Sequence, residues 1–142
     1  MTYYLSVAGL MGLLVLFLEL RKPQSDFWFW FSLSVGALLF MACFYSGYLF
    51  LNKSPKKAAG LGIVVHILQL FSFTAAGWSY YFVTGFGLSL DYLFGEGSFG
   101  ITAGISEFEW LLVPKQSPVE IGFNVWALII LIILDRIRRS YS

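Results

Sequence analysis

The chain has 142 residues, 58% of them hydrophobic and only 12% charged, with a formal net charge of +1. Soluble domains carry about 25% charged residues, so this composition, at a mean hydropathy of +0.77, excludes an ordinary water-soluble globule. A balance so close to neutral also gives no basic footprint for a nucleic-acid partner.

Crossing a bilayer takes about 20 apolar residues, within a range of roughly 17 to 25. Four segments meet or approach that length: Tyr3 to Leu20, Phe27 to Leu51, Ala58 to Thr84, and Val119 to Leu134 with a continuation to Ile137. The first lacks the basic start and small-residue cleavage site of a signal peptide. Glu19, Arg21 and Lys22 follow it directly, and Pro23 ends it, so it reads as a retained helix. Ser6, Gly9, Gly12, Leu16 and Glu19 share one of its faces.

The second segment opens on Phe27, Trp28, Phe29, Trp30 and Phe31, rings suited to a membrane interface. Ser32, Gly36, Cys43, Ser46 and Gly47 fall on one side of it, and Met41, Phe44 and Tyr48 on the other. Pro55 separates it from the third segment. There, at about 100° per residue, Gly62, His66, Gln69, Phe73, Gly77, Tyr80 and Thr84 form one stripe. The fourth segment contributes Asn124, Leu128, Leu131 and Asp135. Small residues let helices approach where lipid gives no hydrophobic drive, and polar side chains bond across the seam. The predicted packing face is therefore Ser32, Gly36, Cys43, Ser46, Gly62, His66, Gln69 and Gly77.

Residues 85–118 form a predicted outer cap carrying Asp91, Glu96, Glu107 and Glu109 against Lys115. Leu88, Leu90, Leu93 and Phe94 make it too apolar for a solvated linker. Within it, "SFGITAGIS" alternates as a short strand would, and "LSLDYLF" suits one or two helical turns. Lys53, Lys56 and Lys57, and the arginines of "DRIRRSYS", mark the cytoplasmic side. Both termini then lie inside, with Arg21 and Lys22 dissenting. The expected fold is an all-α integral membrane protein in a single domain: four transmembrane helices in a compact bundle, with a folded outer loop, partly on the membrane surface, between helices 3 and 4.

His66, the only histidine, and Gln69 are the sharpest polar features. An imidazole with a pKa near 6.5 could relay a proton or hold a ligand. One histidine cannot make a bis-histidine haem site, however, and no cysteine or carboxylate stands at helical spacing from it. Its expected role is an interhelical hydrogen bond, with haem or quinone contact as the alternative. Cys43 lies at a compatible depth and is predicted to meet it. The cap acids are hard oxygen ligands but match no calcium loop, so a negatively charged outer face is expected and no metal site. With no catalytic set and no cofactor, the expected role is a non-enzymatic subunit or accessory factor of a larger membrane assembly. Its expected partners are the lipid bilayer and either another membrane protein or further copies of itself. The aromatic-rich, cysteine-poor composition suggests a bacterial inner membrane. The alternative function is a small transporter or channel with a path along Gly62, His66 and Gln69.

Overall fold

The computed structural model describes residues 1–20, 26–112 and 118–141, with Leu111 and Leu112 described by backbone alone. Expectations resting on Arg21, Lys22, Pro23 and Lys115 lie outside these residues.

Two helices, α1 (Thr2–Glu19) and α2 (Phe27–Leu51), are long and apolar enough to cross a membrane. They pack antiparallel through glycines. A β-carbon at Gly9 would meet the backbone of Phe40 and Phe44, and one at Gly47 would meet Ser6.

The second half of the chain corrects the four-span expectation. Helix α3 (Pro55–Leu68) stops after 14 residues, and α4 (Val125–Ser140) has 16. At 1.5 Å per residue these reach about 21 and 24 Å, short of the roughly 30 Å hydrocarbon layer. Between them lie β1 (Phe71–Ala75), β2 (Trp78–Leu93), β3 (Ser98–Leu112) and β4 (Glu120–Asn124) in one antiparallel sheet. The expected third span thus turns from helix to strand after Leu68, and "LSLDYLF" is strand up to Leu93, with Phe94 in the following turn, and not helix. "SFGITAGIS" lies within β3. The physical reason is visible in Phe71 to Thr84, where aromatic and hydroxyl-bearing residues favour a pleated surface. Ala76 and Gly77 add positive φ angles of 53° and 88° for a two-residue hairpin turn.

The sheet is folded back on itself. β1 and β4 each pair antiparallel with β2, which in a flat sheet would make them parallel, yet they pair antiparallel with each other. β2 must therefore reverse direction, and it does so at the irregularity between Val83 and Phe86, where Gly85 has φ +69°. β3 turns beside it at Ser106, φ +38°. The result is a V whose limbs are residues 78–83 with 107–112, and 86–93 with 98–105.

One face of this V packs on the helices. Phe40 stacks edge-on against Phe82, and Phe31 against Trp110, while Gly36 leaves room for Phe108. The apex at Thr84 lies 3.7 Å from the Cys43 sulfur, eight residues or about 12 Å from the end of α2. At the opposite end, Met1, Phe50, Lys53, Pro55, Ile137 and Tyr141 surround one cavity, so the lysine and arginine clusters share a side.

Candidate functional site

Residues directly opposed in an antiparallel ladder share a face, and the register sorts this sheet into an apolar face and a largely polar one, where Val83 and Leu93 are the apolar exceptions among residues with described side chains. Phe71, Phe73, Tyr80, Phe82, Phe86, Leu90, Phe99, Ile101, Ile105, Phe108, Ile121 and Phe123 lie on one face. Ser72, Thr74, Ser79, Tyr81, Ser89, Asp91, Thr102, Glu107, Glu109, Glu120 and Asn124 lie on the other, with Gly87, Gly100, Gly104 and Gly122 among them. The side in contact with helices and surroundings is apolar, and the concave side is polar.

A cavity of about 180 Å³ opens on the polar face, lined by Ser72, Phe73, Thr74, Ser79, Tyr80, Tyr81, Asp91, Thr102, Glu109 and Glu120. Asp91 is 5% exposed and its Oδ2 has no hydrogen-bond partner. Burial, and then the Asp91 charge, raise the Glu120 carboxyl above its ordinary pKa. Burial likewise raises the Tyr81 phenol, followed by the charges of Glu107 and Asp91.

A second polar cluster holds the apex. Gln69, capping the end of α3, donates from Nε2 to Thr84 Oγ1 at 2.7 Å and accepts the Thr84 N–H at 3.0 Å. The Tyr4 hydroxyl donates to the Thr84 carbonyl at 3.2 Å and accepts from Trp126 Nε1 at 3.1 Å. Ser106 accepts the Gly85 N–H and donates to the Ala8 carbonyl.

The packing face predicted on α2 is buried at Ser32, Gly36, Cys43 and Ser46. Ser32 Oγ accepts the Trp110 N–H, and Ser46 Oγ donates to the Ala58 carbonyl at 2.7 Å. His66 differs from its expected role. Its Nδ1 bonds the Gly62 carbonyl of its own helix at 2.9 Å, and Nε2 has no partner. Cys43 approaches Leu5 O and Thr84 Oγ1, with no hydrogen bond to His66. Gly62 sits against Leu134 and Ser46, and Gly77 belongs to the β1–β2 turn. Gly62, His66 and Gln69 are buried and line none of the cavities described here.

Of the predicted cap acids, Asp91 and Glu109 share the sheet cavity. Glu107 and Glu109 also line a cavity against α1 and α2 with Glu19. Glu96 stays exposed in the β2–β3 turn, bonded by Ser98. Among the described residues no three acidic, histidine or cysteine groups converge as metal ligands. Sequence reasoning missed Glu120, Tyr81 and the hydroxyls of Ser72, Thr74, Ser79 and Thr102. The two-residue alternation that joins them was the available signal.

Compared with known proteins, the chain matches no family model, no curated protein and no solved structure.

Proposed function

We propose that the protein is a non-enzymatic integral membrane subunit that joins a larger assembly through the open edge of β3. The exposure of α1 and α2 supports the membrane setting: 28% and 22% of their apolar stretches are buried, whereas a soluble core helix is mostly buried. The apolar outer face of the sheet fits the same surroundings. With the lysine and arginine clusters on one side, the positive-inside rule gives Met1 and the end of α4 to the cytoplasm, as in a bacterial inner membrane.

The observation that carries the reading is the edge itself. β3 pairs with β2 on one side and with no other described strand. Over residues 98–105 it holds no charge and no proline, and Phe99, Ile101 and Ile105 are 84%, 74% and 64% exposed. Proteins usually blunt such edges with charge, proline or a bulge, and hydrocarbon cannot satisfy free backbone groups. An added strand satisfies them. A second copy of this chain fits, because an antiparallel edge pairs with itself about a two-fold axis and this one brings no like charges together.

The test is cross-linking in native membranes. Ile101→Cys and Ala103→Cys, in a Cys43→Ser background, are treated with a short bismaleimide, with Ser34→Cys on the exposed face of α2 as control. The expected product is a β3-specific dimer of twice the 16.0 kDa chain. A link to a different protein keeps the subunit and replaces the second copy. A monomer throughout sinks the proposal.

A further inference from the structure

The polar cavity lies on the polar face of the sheet and shares only Thr102 with the 98–105 edge of β3, so a chain found to be monomeric would still carry it. Carboxylates of Asp91, Glu109 and Glu120 line it, and no described lysine or arginine does. Acids alone would make only a solvated negative surface. Asp91 adds something independent: it is almost wholly buried, and its Oδ2 lacks any hydrogen-bond partner. A buried acceptor left unmatched is costly, and the neighbouring Glu120 supplies like charge and no relief. Gly122, paired with Asp91 across the ladder, keeps the space open. A β-carbon there would collide with Asp91 Oδ1 and Ser72 Oγ.

We propose that this cavity binds an organic primary ammonium group, its N–H donors taken by Asp91 and Glu120 with the hydroxyls of Ser72 and Thr102. The space of about 180 Å³ is several times the roughly 30 Å³ share of one water. It suits an organic head better than a bare ion, in keeping with the absence of converging metal ligands among the described residues. Quaternary ammonium ions lack N–H donors and are recognised by ring walls. Here, among the described residues, Tyr81 is the one ring that the register places on the polar face; Phe73 and Tyr80 border the cavity but oppose each other on the apolar face. Acceptors dominate, which matches three N–H donors. A soluble amine and an ethanolamine lipid headgroup both carry that chemistry.

The test uses the full chain in phosphatidylcholine nanodiscs, titrated calorimetrically with 1,4-diaminobutane. Saturable binding is expected, weakened about tenfold or more by Asp91→Asn and, separately, by Glu120→Gln, with tetramethylammonium a poor competitor. Glu120 lies at the rim of the cavity, so its variant keeps the test decisive if Asp91→Asn fails to fold. If diaminobutane does not bind, native mass spectrometry of protein taken from phosphatidylethanolamine membranes assigns the source. Lipid retained by the native chain and lost from the variants supports the headgroup. The proposal is overturned if neither amine binds, if both variants bind as the native chain does, or if tetramethylammonium competes as well as the diamine.

Discussion

Gln69 and Thr84 are joined by two hydrogen bonds, one in each direction, that tie the end of α3 to the apex of the folded sheet. Both residues are buried, at 2% and 0% exposure. Replacing Gln69 with leucine strands the Thr84 N–H without a protein acceptor. The expected loss is about 1–3 kcal/mol, read as a lower unfolding midpoint in detergent. An unchanged midpoint would show that the apex is held by Tyr4 and Cys43 instead.

Glycine substitutions should separate contact from open space. Gly9→Ala puts a β-carbon 2.5 Å from Phe44 N and 2.7 Å from Phe40 O, so α1 and α2 must move apart. Overpacking of that kind costs about 1–3 kcal/mol. Gly60→Ala, in α3, meets nothing within 4 Å and should be neutral or stabilise by up to about 1 kcal/mol through helix propensity. Thermal melts of the two variants give the comparison, and equal melting would refute the glycine contact.

The Glu120 carboxyl supplies a pH signature. Its pKa is raised by burial and by Asp91, so the folded chain holds this proton more tightly than the unfolded chain. Stability from this group is therefore greatest below the ordinary glutamate value and falls as pH rises through the raised one. Glu120→Gln should flatten that decline and stabilise the protein slightly at neutral pH, measured as unfolding midpoint against pH. A decline of the same slope in the variant would assign it to another acid.

Hydropathy placed α1 and α2 well because both are apolar over their whole length. It failed between Leu70 and Asn124, and regained helix at α4, because a long averaging window cannot distinguish an apolar helix from a strand with one apolar face. The difference lay in period: Ser72 and Thr74, Ser79 and Tyr81, Ser89 and Asp91, then Glu107 and Glu109, are polar at every second position. Placed on a helical wheel, those residues scatter. His66 and Gln69 stood out as polar residues in an oily run, but their partners did not. Gln69 meets Thr84 through the chain reversal at Gly85, which no local pattern announces. His66 turns back to Gly62, four residues earlier on its own helix. Glu120 counts in the sequence only as one more acid of the outer connection, at the start of an expected helix, where its pairing with Thr74 and Leu93 could not be seen.

The pairing of Phe71 with Phe123 sets an order on biosynthesis. α1 and α2 satisfy their own backbones as they emerge from the ribosome, each peptide group bonding within its own helix. β1 finds one partner at once in β2, but the strand that satisfies its other edge is made some fifty residues later, so that edge lacks its ladder until β4 has been synthesised. The chain is therefore completed in two stages by two kinds of physics: a helical pair whose hydrogen bonds are local, then a sheet that closes only once its last strand has been made.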